Sequence, residues 1–216
     1  MLTARTFGAA FVAVCGLMLT TRSAQCSEVR INASADAYIM NIPECTQFNF
    51  GDDPVLVCYN DGNSNKMHSL LRFDLNEIKI QPIRSARLRL WSTDWEGDFS
   101  NSSRTTIYAL TMPWIEQEVS WAAPTNKSSW QQYGGGIFSN GATGPTFAVN
   151  SQGMSIPSGK TSMMEWDITQ LVRMWVSKKL PNNGLYITDD DGVFVFESRE
   201  SPHTNLRPTL IVELGK

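Results

Sequence analysis

Arg87, Arg89 and Trp91 occupy alternate positions of Ser85-Ala-Arg-Leu-Arg-Leu-Trp91, with Ala86, Leu88 and Leu90 between them. A period of two marks a half-buried β-strand, so the two sets project from opposite faces. On the outward face, two guanidinium forks beside an indole can grip a planar, acidic ligand. The arginines would offer paired N–H donors to a carboxylate, and the ring would stack. Trp95 follows at the strand's exit, and Tyr108, on the next strand-like run, could lie beside the stripe. The same residues also describe an ordinary solvated sheet face whose arginines pair with local acids. Both readings stand at this point.

Other chemistries find less support. The two histidines, His68 and His203, sit in polar segments and are expected to be exposed, and no Gly-x-Ser-x-Gly elbow occurs. No catalytic residue is predicted. Glu116 and Glu118 lie in Trp114-Ile-Glu-Gln-Glu-Val-Ser-Trp121, and Glu197 and Glu200 in Phe196-Glu-Ser-Arg-Glu200. A glycosidase needs two carboxylates facing across a cleft, which linear spacing cannot show. Trp114, Val119 and Trp121 read as core anchors with Glu116 tying their loop, and Glu200, one residue from Arg199, fits a structural ion pair equally well. Asp189-Asp-Asp-Gly192 and Asp52-Asp53 resemble fragments of a calcium loop, but Ca²⁺ takes six to eight oxygens and the spacing fits no helix–loop–helix site. The expectation is therefore no cofactor, with structural calcium as the one metal to look for. Asn32, Asn101 and Asn126 head glycosylation sequons that matter only in a eukaryotic secretory setting.

Arg5 precedes an apolar run from Phe7 to Leu19, followed by small and polar residues to Cys26. That run is too short for a membrane span and suits a signal-peptide core. Residues 1–26 are read as a signal peptide, residues 27–216 as one secreted domain, and no later segment as a membrane span. Cleavage after Cys26 would leave Cys45 and Cys58 as an even pair, and a disulfide between them is expected. Loss of Arg5 and Arg22 leaves 16 basic residues against 21 acidic ones. An acidic domain without Lys/Arg clusters argues against nucleic acid as a partner.

The elements that must position the stripe are many and short. Strand-like runs cover 36–40, 55–59, 69–75, 85–91, 105–110, 147–149, 162–167, 185–188, 193–196 and 209–214, with polar turns between them. Residues 122–145, rich in Gly, Ser, Asn and Pro, read as a long surface loop. Ile168, Leu171, Val172, Trp175 and Val176 recur at helical spacing, with Asp167 placed to cap and Pro181 to terminate, so one short helix near 168–178 faces the core. The fold class is all-β, a jelly-roll β-sandwich, with a barrel as the competing architecture.

Asp36-Ala-Tyr-Ile, Asn49-Phe-Gly51, Ser69-Leu-Leu-Arg-Phe-Asp-Leu75, Ser85-Ala-Arg-Leu-Arg-Leu90, Trp114-x-Glu-x-x-Val-Ser-Trp121, Gly134-Gly-Gly136, Trp166-Asp-Ile-Thr169, Asn183-Gly-Leu185, Ser198-Arg-Glu200 and Arg207-Pro-x-Leu210 occur in this order. In that series the chain resembles the DNRLRE domain family over about residues 34–215. The resemblance implies a jelly-roll sandwich of secreted enzymes or surface proteins, some of whose members bind acidic polysaccharides such as alginate. The expectation is a non-catalytic carbohydrate-binding module whose partner is a polysaccharide, contacted by Arg87, Arg89, Trp91, Trp95 and Tyr108. A structural or adhesion protein of an extracellular coat and a small polysaccharide-cleaving enzyme are the alternatives.

Overall fold

The computed structural model describes residues 27–62, 64–78, 82–93, 105–131, 148–150, 161–189 and 192–215. The leader, Trp95, Asn101, Asp190 and Asp191 lie outside them. The ten described strands are β1 (Ser27–Met40), β2 (Val55–Asn60), β3 (Lys66–Phe73), β4 (Ile83–Ser92), β5 (Thr105–Ala109), β6 (Ala148–Asn150), β7 (Ser162–Asp167), β8 (Leu185–Asp189), β9 (Gly192–Glu197) and β10 (Thr209–Leu214), with one α-helix, α1 (Thr169–Val176). The fold is all-β, as the alternation predicts.

Every strand pairing is antiparallel, and the path β1–β10–β4–β9–β2–β3 returns to β1 to close a six-stranded ring. β7 is added beside β4, and β8, β5 and β6 extend from β3. β1 makes the closure possible. Its first half pairs with β10, from Ser27↔Leu214 to Asn32↔Thr209, and beyond a register shift at Ala33/Ala35 its second half pairs with β3. A bulge bends a strand, and here it lets one strand pair with two different neighbours of the ring. Sequence pattern places the start of this strand at Asp36, but the ladder begins nine residues earlier, with Val29, Ile31 and Ala33 turned toward the core.

Leu88 and Leu90 of β4, Met164 and Trp166 of β7, and Leu210 and Val212 of β10 share one core with Leu71, Phe73, Ile107, Ile187, Phe194 and Phe196 of the other strands. Helix α1 adds Leu171, Val172 and Trp175 to that core. A second cluster sets Ala35, Ala37, Ile39, Leu70 and Tyr186 against Leu110, Trp114, Val119, Trp121 and Trp130. The predicted surface loop is thus corrected at its start. Trp130 is buried, and its indole N–H donates to the Ser120 carbonyl at 2.9 Å.

Asp167 accepts the Thr169 N–H at 2.8 Å, as a residue at a helix entrance should. The other end closes with Lys178 N–H on the Trp175 carbonyl and Lys179 N–H on that of Met174, both at 3.0 Å. This is a Schellman ending, in which the left-handed position is usually glycine. Here it is Lys178, with φ of 57°.

Two expectations are overturned. Cys45 and Cys58 are free thiols rather than a disulfide. Cys58 points inward from β2, with Sγ 3.4 Å from Ser69 Oγ and 3.5 Å from the Ile187 carbonyl, while Cys45 lies in the 3-10 turn Pro43–Cys45 after β1. Burial pushes the Cys58 thiol up to about 12, so it stays protonated. His68 is not exposed but buried on β3, its ring centroid 5.2 Å from that of Trp121 and 5.0 Å from that of Tyr186. Desolvation lowers its pKa to about 3 and keeps the imidazole neutral. His203 remains mostly exposed, with Nδ1 3.2 Å from Glu197 Oε1.

Candidate functional site

Registry builds the outward face of β4. Arg87, Arg89 and Trp91 stand opposite Asp167, Glu165 and Met163 of β7, while Arg87 and Arg89 stand opposite Ile211 and Thr209 of β10. The Arg89 guanidinium meets Glu165 Oε1 at 2.8 Å through Nη2 and at 2.9 Å through Nε. Arg87 reaches more loosely, with Nη1 3.7 Å from Glu165 Oε2 and Nη2 3.6 Å from Glu213 Oε1. The two arginines therefore share one carboxylate, which holds their planes in place on a half-buried surface. Trp91 is half-buried beside Met163, which is 41% exposed, so an apolar step adjoins the charged one.

The structure thus assembles three of the five predicted contact residues. Tyr108 goes elsewhere: β5 is hydrogen-bonded between β8 and β6, and the Tyr108 ring packs against the Trp114 cluster. Trp95 lies outside the described residues. Of the sequons, Asn32 and Asn126 are both exposed.

A second constellation, not assembled by sequence reasoning, ties two loops to β1. Glu116 Oε1 accepts the Asp36 N–H at 2.7 Å, and Arg199 Nη1 bridges Glu116 Oε1 and Oε2 at 3.2 and 3.0 Å. Arg199 N–H donates to Asp36 Oδ2 at 2.8 Å, and its Nε lies 3.2 Å from Glu200 Oε1. Oxygens of Asp36, Glu116 and Glu200 lie within 4.8 Å of one another and form the one group of three among the described residues that could hold a metal ion. The Arg199 guanidinium already neutralises part of that charge. Burial first, then Glu200 and Glu116, pushes Asp36 up to about 8 against the pull of the Arg199 N–H, so Asp36 carries a proton at neutral pH. Burial also raises Glu116. Trp114-x-Glu116 and Ser198-Arg-Glu200 were visible as separate motifs; only folding brings them to Asp36.

Glycine is required where this knot meets the loop after β1. A Cβ at Gly51 would strike the carbonyl oxygen of Glu116, and Asn49 Nδ2 donates to that same carbonyl at 2.7 Å. Trp114 is pinned from the other side. Its indole N–H donates to the Asn183 carbonyl at 2.9 Å, and the Arg72 guanidinium carbon lies 5.2 Å from its ring centroid.

These features define an all-β module that presents a polar and aromatic sheet face and fastens its loops through a buried charge knot. The chain belongs to carbohydrate-binding module family 96, whose family model matches residues 27–134. No curated protein matches it. The matched span includes β1 to β5, the stripe on β4 and the Trp114–Trp121 loop.

Proposed function

We propose that the protein is a secreted, non-catalytic module that binds an acidic or cell-wall polysaccharide on the outward face of β4 and β7. The observation that carries this reading is the in-register platform of Trp91 beside Met163 and Arg89 beside Glu165. Sugar rings stack their C–H faces on aromatic surface, and planar charged groups hold hydroxyls or carboxylates. The family supports the carbohydrate, and the family match from residue 27 accords with a leader ending at Cys26. A bulged first strand that pairs with β10 and then with β3 is compatible with the jelly-roll reading, and the carbohydrate-binding family match supports the DNRLRE resemblance.

Binding without cleavage is supported by where the carboxylates go. Asp36, Glu116 and Glu200 converge on one another around Arg199, and Asp36 is buried, so they do not face each other across an open cleft as a glycosidase pair must. The test is affinity gel electrophoresis of the residue 27–216 domain through acidic and neutral polysaccharides, with the same mixtures assayed for new reducing ends. Retardation without new ends is expected. Cleavage would establish an enzyme, and passage through every polymer unretarded would leave an adhesion role.

A further inference from the structure

Arg87 faces two carboxylates that it does not quite reach. Its Nη1 lies 3.7 Å from Glu165 Oε2 and its Nη2 3.6 Å from Glu213 Oε1, both beyond hydrogen-bond distance. Glu165 gives its other oxygen, Oε1, to Arg89 at 2.8 and 2.9 Å. Neither Nη of Arg87 has a hydrogen-bond partner among the described residues. All three side chains around the two gaps are open to solvent, Arg87 at 37% exposure, Glu165 at 25% and Glu213 at 35%.

A gap of that length suits a bridging oxygen. One oxygen about 2.8 Å from each end fits it, if that oxygen accepts from the guanidinium and donates to the carboxylate. A hydroxyl does both, whereas a carboxylate only accepts. The two gaps open from the two prongs of one rigid fork, so they call for two hydroxyls held side by side. The charge of the face points the same way. The ladders across β7, β4, β10 and β1 bring Glu165, Asp167, Glu213 and Glu28 to the face that carries Arg87, Arg89 and Arg30, four carboxylates against three guanidiniums. Arg30 is taken by Glu28 at 2.8 Å, and Arg89 by Glu165. An incoming carboxylate at Arg87 would stand beside those of Glu165 and Glu213, and like charges that close repel.

We infer that Arg87, Glu165 and Glu213 form a clamp for a vicinal diol, and that the ligand of the β4 face is a neutral polysaccharide with two adjacent free hydroxyls on each unit. Each hydroxyl accepts from one Nη of Arg87; one donates to Glu165 Oε2 and the other to Glu213 Oε1. Trp91 stands four positions along β4, about 13 Å away along the strand, so a chain of sugars rather than a single ring contacts both the clamp and the indole. Glu165 is then the residue that sets ligand charge, since its carboxylate receives a hydroxyl and closes Arg87 and Arg89 to an acid. This assignment rests on the carbohydrate-binding reading and narrows its ligand to a neutral, diol-bearing chain.

The test is titration calorimetry of the residue 27–216 domain with cellohexaose, mannohexaose, laminarihexaose and oligogalacturonate. Cellohexaose and mannohexaose, linked through O4, keep adjacent hydroxyls at C2 and C3 of every unit. Laminarihexaose, linked through O3, has no such pair on its internal units, and oligogalacturonate keeps the pair but adds a carboxylate. Cellohexaose or mannohexaose should bind, with laminarihexaose and oligogalacturonate at least about tenfold weaker. Arg87→Ala and Glu213→Ala should each weaken the neutral hexaose at least about tenfold. Glu213→Ala breaks only an exposed pair and should leave Tm within about 2 °C. Glu165→Gln should weaken the neutral hexaose and strengthen oligogalacturonate. Laminarihexaose or oligogalacturonate binding as tightly as the better of the other two, or full affinity in folded Glu213→Ala, would overturn the clamp. Retardation in the polysaccharide gels with no response to either O4-linked neutral hexaose would reject the clamp and leave the module's function standing. Absence of both would reject the carbohydrate reading itself, and the clamp with it.

Discussion

Two charged clusters of similar composition do opposite work in this molecule. On the β4 face, Arg87 and Arg89 share Glu165 and Glu213 on a half-open surface, with distances from 2.8 to 3.7 Å. In the knot, Arg199 and two backbone N–H groups hold Asp36 and Glu116 with almost no solvent at Asp36. The exposed ladder is worth little to stability because water screens it and already solvates its members. The buried knot is costly to break because its N–H groups have no water to turn to. On the proposed reading, similar residues serve recognition in one place and architecture in the other, and depth decides which.

Glu116→Ala should show the largest effect, since it strips the Asp36 N–H and the Arg199 guanidinium of their acceptor together. A loss of about 2–4 kcal/mol in denaturant unfolding is expected; a loss no larger than that of a surface pair would erase the contrast. Gly51→Ala attacks the same knot through the backbone, driving a methyl group against the Glu116 carbonyl, and should cost about 1–3 kcal/mol in the same measurement. Trp91→Ala belongs to the other cluster. It should lower polysaccharide affinity by about 1–3 kcal/mol with a nearly unchanged unfolding midpoint, and equal affinity in the folded variant would move the site off β4.

Asp36→Asn sharpens the comparison through pH. The folded-state pKa stands at about 8 against an ordinary 3.8, so the folded form keeps a proton that the unfolded chain releases. The stability this proton provides is complete below about pH 4 and is lost as pH rises toward about 8. Thermal melts from pH 5 to 9 should decline more steeply for the wild type than for Asp36→Asn. Parallel curves would mean that Asp36 ionises normally in the knot. The smallest change is expected from Glu165→Gln, which releases Arg87 and Arg89 at a cost below about 1 kcal/mol. It should tighten binding of an acidic polymer, visible as stronger gel retardation at low salt.

Strand positions were legible because burial on one face imposes a period of two that survives in any single sequence, as Leu88 and Leu90 against Arg87 and Arg89 show. Helix α1 was legible for the same kind of reason. What stayed hidden depends on distant chain segments. His68 sits among polar neighbours and is buried only because Trp121 roofs it from a loop about fifty residues away. Cys58 alternates correctly for a core position, yet nothing local reveals that Cys45 lies in a turn outside that core. Tyr108 follows β4 in sequence, but β5 crosses to β8, so adjacency along the chain did not become adjacency in the sheet.

The way β1 closes the ring also determines how the domain carries mechanical load. Ser27 pairs with Leu214, so chain entering before the first strand and chain leaving after the last meet at one point of the surface. Tension applied through both would pull β1 and β10 apart from their shared end, opening one rung of the ladder at a time rather than shearing all rungs together. A module anchored at both ends would hang beside the line of force as a pendant. It would yield first along Ser27–Asn32, while the half of β1 clasped to β3 holds.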